Sequence, residues 1–579
     1  MKKDLRIGLI EPYATRDGTL WGSRMKDLYS MVRLPSRAIE LLAAVLKNRG
    51  FPSVRTFNPL YNRHRGRLHP EELRALADMD VVGISSITRT QPPAYELARR
   101  LKELNPRIWI VFGGPHVTAL PEEALEHGDV VVRREGDHTF VELLERIAED
   151  RAGPCLKEVQ GISYREGSGS IHHNPERPFL TSEELSELPF PDYPTEVRKG
   201  ISNSVIVTSR GCPFHCDFCA VISQFGSGYR FLDADRTVAL IQHTLRQTRK
   251  PVFFGDDNFN ARPERTRAIL ERILEKGIRM PSWGAQVRVE AAEDRDLLSL
   301  MKRAGCSKVY VGFESINPES LELYNKRSSR EKNEDAIHRF HEAGLSIHGM
   351  FVLGSDADTV GTVRDTVAFA KRMRIGTAQF FALTTLPGTS MTARYQQHGK
   401  VLNRKWHLYD AHHVVIQPAK MTPHLLQEEL TRSHKDFYSW KEALRHLFSA
   451  PREKLYNAKI RVMGRLLTLW IHFQVGPYRQ ELKALEAWSQ EVENRYQELW
   501  REWGGRVQNL SREISHTAEP VRASAEEFMR WLRKSLEPLP KEFLPYCQGY
   551  LRPKIETIRK LLASAEFPME LSPAATSVL

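Results

Sequence analysis

Three cysteines, Cys212, Cys216 and Cys219, fall close together in a chain of 579 residues, in the run Cys212-Pro213-Phe214-His215-Cys216-Asp217-Phe218-Cys219. A C-x3-C-x2-C spacing lets three thiolates wrap one compact loop around a metal, and soft sulfur ligands favour an iron–sulfur cluster or zinc. A structural zinc site wants a fourth close ligand; His215 and His173 are candidates, but no second cysteine pair stands at finger spacing. Three cysteines leave one iron of a four-iron cluster without a protein ligand, which is the open position a catalytic cluster needs. Cys155, Cys306 and Cys547 are isolated, so the cysteines do not form a disulfide framework.

The elements that must position this loop alternate strand and helix. The cysteines follow a β-rich run at 204–208, and further strands are expected at 252–254, 308–313, 347–353 and 377–383, with helices such as 262–276 and 294–304 between them. That alternation predicts a parallel, barrel-like β/α unit over residues 201–415. Residues 1–150 repeat the pattern, with strands at 5–10, 81–87, 108–112 and 130–132 and helices at 36–48, 93–104 and 121–127. This predicts a doubly wound α/β domain whose strand-end loops share one ligand-binding face. The stretch 151–200 is rich in turn residues and ends in Leu188-Pro189-Phe190-Pro191-Asp192-Tyr193-Pro194, as a linker would. From 416 to 579 the sequence turns helical, and Leu485, Trp488, Val492, Tyr496, Leu499 and Trp503 mark one amphipathic face.

With the cysteine loop placed after a strand of a β/α unit, the sequence resembles the radical S-adenosylmethionine (SAM) superfamily. The resemblance implies that Cys212, Cys216 and Cys219 hold a [4Fe-4S] cluster whose free iron takes SAM. It places Phe218 against the adenine, and Asp256 and Asp257 of Gly255-Asp256-Asp257-Asn258 at the SAM amine. Gln286 and Arg288 fall at its carboxylate, and Glu314, with Ser315, at the ribose hydroxyls. It also implies an electron donor such as flavodoxin or ferredoxin.

In the first domain, Gly113-Gly114-Pro115-His116, followed by Pro121-Glu122-Glu123 and Glu135-Gly136-Asp137, resembles the cobalamin-binding domain of one radical SAM branch. Ser85, Ser86, Gly113, Gly114, His116, Glu135 and Gly136 are the cobalamin residues this implies. The Asp-x-His-x-x-Gly signature of cobalamin proteins that place a His on cobalt is absent. A degenerate domain that binds nothing is the plainer alternative.

Composition narrows the rest. No apolar run is long enough to span a membrane: 462–475 is short and carries Arg465 and His472. The amino terminus lacks the apolar core of a secretory signal, so a cytoplasmic location is expected. The net charge of +12 is scattered rather than blocked, which argues against nucleic-acid binding. Six of the ten tryptophans lie beyond residue 422, fitting a helical core, a lid over a large apolar substrate, or peripheral contact with a membrane surface.

The function these readings imply is a cobalamin-dependent radical SAM enzyme. SAM is cleaved reductively to a 5′-deoxyadenosyl radical, and a methyl group passes through methylcobalamin to an unactivated carbon of a small-molecule substrate, such as a tetrapyrrole, polycyclic lipid or natural product. One alternative keeps the cofactors but cyclises oxidatively, as in the anaerobic Mg-protoporphyrin monomethyl ester cyclase. The other is a non-catalytic corrinoid or Fe–S sensing protein. No acid or base beyond the cofactor ligands is assigned as catalytic.

Overall fold

A computed structural model describes residues 4–13, 33–61, 68–166, 169–447, 454–507 and 518–564. Two sheets dominate the α/β part of the chain. The first has seven strands: β1 (Ile7–Ile10), β2 (Val54–Phe57), β3 (Val81–Ser85), β4 (Trp109–Gly113), β5 (Val130–Val132), β6 (Ile162–Arg165) and β7 (Ile171–His173). Their spatial order is β2-β1-β3-β4-β5-β6-β7. The first five run parallel, with β1 pairing with both β2 and β3. Every residue of β1 and of β5 is buried, as expected when helices cover both faces of a parallel sheet. One apolar cluster, around Leu46, Leu143 and Leu144, fills one side; another, around Leu97, Leu101 and Ile110, fills the other.

The stretch 151–200 departs from the expected linker. Its first part is the antiparallel hairpin β6–β7, which extends the sheet past β5. The turn residues that suggested a linker serve this hairpin: Gly161 and Gly169 hold φ angles of +78° and +88°, which side chains rarely tolerate. The remainder forms the short helices Ser182–Glu187 and Thr195–Gly200.

After β8 (Ser204–Ile206), the two-residue strands β9 (Ser209–Arg210) and β10 (Arg230–Phe231) pair antiparallel and bracket the cysteine loop. Strands β11 (Val252–Phe254), β12 (Trp283–Val287), β13 (Cys306–Glu314), β14 (Ser346–Leu353) and β15 (Thr377–Ala382) complete a six-stranded parallel sheet in the order β15-β14-β13-β12-β11-β8. Strands in sequential order, each linked by a helix, make the curved partial (β/α) barrel expected. The intervening helices begin where capping chemistry starts them: Asp233, Asp294, Ser329 and Thr359 each accept a bond from a first-turn N–H.

The rest is helical. Pro423–Phe437 packs on β15, and Lys454–Val507 runs for 54 residues with Pro477 inside it. Leu485, Trp488, Val492 and Leu499 of the expected amphipathic face are buried, while the Trp503 side chain lies outside the described residues. Among the described residues, no helix is long and apolar enough to cross a membrane.

Candidate cofactor-binding site

The cysteine loop is anchored by residues that follow β13 and β15. Before it, Gly211 holds φ +83°, and a Cβ there would overlap the carbonyl oxygen of Gly228. Inside it, the Cys219 N–H donates to Cys216 O at 3.1 Å and the Asp217 N–H to Tyr324 O at 3.1 Å. Asn325 Nδ2 donates to His215 O at 2.7 Å, and Arg394 pairs with Asp217 at 3.3 Å. All three cysteines are partly exposed, which suits ligands facing a bound group. Burial pushes the Cys219 thiol up to about 12. Loading a metal must therefore displace that proton. Three thiols on one short loop suit a cluster that shares them among several irons. The donor set fits a cluster with one open iron.

Around this loop stand the expected SAM residues. Phe218 meets Tyr324 edge to face, with ring centroids 5.4 Å apart. The Arg288 guanidinium lies 3.7 Å from the Phe214 ring centroid, pairs with Glu290 at 3.0 Å and reaches within 3.9 Å of Cys216 Sγ. Gln286 precedes it on β12. Glu314 ends β13 at φ +61°, beside a register shift against β14. Its Oε1 accepts from Lys326 Nζ at 3.0 Å, and both side chains are buried. Ser315 Oγ accepts the Asn317 N–H at 3.0 Å.

The two aspartates separate in role. Asp256 is fully buried and accepts from the Thr208 N–H at 2.8 Å, Thr208 Oγ1 at 3.1 Å and Ser209 Oγ at 2.5 Å. It ties the end of β11 to the strand leading into the cysteines, so its oxygens are taken. Asp257 instead lines the large cavity. Burial raises its carboxyl to about 6, and Arg37 opposes that shift.

That cavity, of about 480 Å3, lies between the strand ends of the first sheet and the base of the cysteine loop. Its lining includes apolar Leu9, Ile84, Val111, Val132 and Phe140 and polar Arg134, Arg210, Arg236 and Asp257. Ser85, Gly113, Gly114 and Gly136 line it. A Cβ on Gly113 would meet nothing nearer than Val132 O at 4.0 Å, so the missing side chain leaves open space for a ligand. At Gly114, φ is +112° and a Cβ would overlap Ser86 O. The cradle fits a large, mostly apolar group with polar fringes.

Three further expected cobalamin residues have partners within the protein. His116 is fully buried away from the cavity, with Nε2 3.3 Å from Glu123 Oε1 and its ring 4.9 Å from that of Trp406. Glu123 also accepts from Tyr95 OH at 3.0 Å and Trp406 Nε1 at 2.9 Å, so His116 belongs to a clasp between the two halves. Ser86 Oγ donates to Gln91 Oε1 at 2.5 Å, closing the loop internally. Glu135 borders the cavity, but its carboxylate is held by Arg230 at 2.8 Å, Arg210 at 3.1 Å and the Leu180 N–H at 2.9 Å. Spacing alone marks a polar residue near a site and says nothing of a neighbour's claim on it.

The partners were the part missed. Arg210 grips Asp137 through two bonds, at 2.7 and 3.0 Å. Burial works against the Asp137 charge, yet Arg210 holds its carboxyl below the ordinary range. Arg37 Nη1 donates to Gly255 O at 2.7 Å, and Gln224 Nε2 to Arg134 O at 2.6 Å. Arg210 sits two residues before Cys212. That adjacency was the only sequence signal available for this clamp.

Residues 206–370 match the radical SAM superfamily and residues 31–144 the B12 binding domain. The chain is 33% identical over 370 residues to an uncharacterized methyltransferase of Pyrococcus horikoshii, covering 62% of this chain and 78% of that one. It is 30% identical over 394 residues to the bacteriochlorophyllide d C-8(2)-methyltransferase of Chlorobaculum tepidum, covering 66% and 82%. The chain belongs to the cobalamin-binding radical SAM family. Its cofactors are accordingly a [4Fe-4S] cluster, SAM and cobalamin, and it is an enzyme of the cobalamin-dependent methyltransferase group. The fold agrees with the solved structure of the cobalamin-dependent SAM radical enzyme OxsB with aqua-cobalamin and SAM bound. That match has a TM-score of 0.63 at 15% identity and covers 100% of this chain and 83% of the other.

Proposed function

We propose that this protein methylates an unactivated carbon of a large, mostly apolar small molecule of the tetrapyrrole or polycyclic class. The observation that carries the reading is the single cavity whose walls are the Gly113-Gly114 loop on one side and Arg210, Gly255 and Asp257, beside the cysteine loop, on the other. Two cofactors can then face each other with substrate between them. When bound, the cluster supplies the electron that cleaves SAM, and the corrinoid carries the methyl group.

The chain's own residues bind, orient and shield. Cys212, Cys216 and Cys219 hold the cluster, and Phe218 offers a ring face for the adenine. Arg288 presents a cation for the SAM carboxylate, as guanidinium forks suit carboxylates. Glu314, fixed by Lys326, accepts from the ribose hydroxyls. Asp257, rather than Asp256, is the carboxylate open to the SAM amine. Ser85, Gly113, Gly114 and Gly136 hold the corrinoid tail. An electron donor of the flavodoxin or ferredoxin class completes the cycle.

The tetrapyrrole class rests on the Chlorobaculum relative, whose name gives a bacteriochlorophyllide substrate. The test is anaerobic turnover with hydroxocobalamin, SAM, reductant and tetrapyrrole or polyprenoid candidates. Mass spectrometry should find 5′-deoxyadenosine, S-adenosylhomocysteine and a product heavier by one methylene. Deoxyadenosine with an oxidised, unmethylated product would establish cyclisation instead.

A further inference from the structure

The helix Lys454–Val507 is apolar on two opposite sides along its first half. One side, with Ile471 and Val475, is buried. On the other, Val462, Met463, Leu466 and Leu469 recur at helical spacing and stand 37, 52, 54 and 54% exposed. The helix Trp440–Leu447, packed against it, adds Trp440 and Leu444 at 56 and 57% exposed. Scattered surface leucines need no explanation, but an ordered stripe of large apolar side chains marks an interaction surface.

The charge pattern identifies the partner. Between residues 440 and 465 the sequence has seven Lys and Arg against two Glu, whereas residues 481–507 of the same long helix have four against six. In the sequence, the basic excess therefore covers the segment that leads into the exposed apolar stripe, and Lys441 is exposed beside Trp440. Arg461 is turned inward, donating to Phe437 O and Ile375 O, but Arg465 borders the stripe. A second copy of this chain would bring the same positive charge against itself across a two-fold contact. A basic, apolar-faced helix fits an anionic lipid surface instead. With no membrane-crossing helix among the described residues, such contact lies in the interface plane.

We propose that this face, centred on Met463, Leu466, Leu469 and Trp440, docks the protein onto anionic bilayers. This goes beyond the methyl-transfer reading and does not depend on it. The test is co-sedimentation of the full chain, with its cofactors, on vesicles of phosphatidylcholine alone or with roughly one third phosphatidylglycerol. The parent should bind the anionic vesicles at least about tenfold more tightly than the neutral ones, and less tightly as salt rises. A Met463→Ser, Leu466→Ser pair removes apolar contact without changing charge and should weaken binding about tenfold. The cobalamin absorption spectrum of that variant verifies its fold. No anionic-vesicle binding by the parent, or equal binding by the variant, would overturn the proposal. So would a concentration-dependent dimer abolished by the same substitutions, which would assign the face to self-association. No readout uses turnover, so failure of the methyl-transfer reading leaves this result interpretable.

Discussion

Glu314 sits in a backbone region that L side chains rarely adopt, and its surroundings explain how it is kept there. Gly312 leaves room: a Cβ at that position would collide with Glu314 Oε1. Lys326 neutralises the buried carboxylate. Strain and burial of this kind concentrate where a side chain must be aimed at a ligand. Replacing Lys326 with Met should leave a buried charge unpaired, costing about 3 kcal/mol of stability by thermal or urea unfolding. SAM binding should also weaken; unchanged SAM affinity in a folded Lys326→Met protein would remove Glu314 from the ribose. At the cysteines the expectation is sharper. Alanine at Cys212, Cys216 or Cys219 should abolish 5′-deoxyadenosine formation and cluster iron, while alanine at exposed Cys155 leaves both intact. These cysteines stood out because three thiols at that spacing, set after a strand of a β/α unit, narrow the chemistry to a few metal groups. Asp256 and Asp257 were not separable, because adjacent strand-end residues point to opposite sides and only the fold says which side holds Thr208 and Ser209.

At the scale of elements, the strands and helices named for the barrel followed from the alternation of apolar and helical runs, with ends displaced by a residue or two. The hairpin β6–β7 did not, since its short strands and flanking glycines carry the same composition as a linker. Nor did β2, where only Phe57 of Val54–Phe57 is buried, so the apolar signal is faint. The helix Ile39–Asn48 bears a titration that composition could not reveal. Glu40 is 2% exposed, and burial raises its carboxyl to about 7 from an ordinary 4.5, despite bonds from Asn58 and Thr56. The unfolded chain releases this proton first, so the folded state loses stability as pH rises from about 4.5 to about 7 and then levels off. Glu40→Gln should therefore match the parent near pH 4 and exceed it by up to about 3 kcal/mol at pH 8, by urea denaturation. Equal pH profiles for the two proteins would show Glu40 ionised in the fold.

For the whole molecule, the decisive feature is that the cavity belongs to neither sheet alone. The first domain contributes the glycine loops, the barrel contributes the cysteine loop, and the join is made by groups that sequence patterns do not announce. Asp137 and Glu135 meet Arg210 and Arg230; Glu123 meets Trp406; Arg37 meets Gly255. Among these, Arg210 is the strongest link, since it is nearly enclosed, bonds two carboxylates and lies beside the first cysteine. Arg210→Met would strand the buried Asp137, while Glu135 keeps Arg230, and should destabilise the protein by about 3 kcal/mol. A general loss of stability would leave cofactor affinity unchanged when measured well below the unfolding transition. Loss of the join predicts otherwise: cobalamin affinity, read from its absorption spectrum at low temperature, should fall about tenfold or more, because its cavity needs both walls in register. Asp137→Asn, which keeps the size and one bond to Arg210, should fall between parent and Arg210→Met. Full cobalamin affinity in Arg210→Met would mean that the first domain binds the corrinoid alone and the clamp serves stability only.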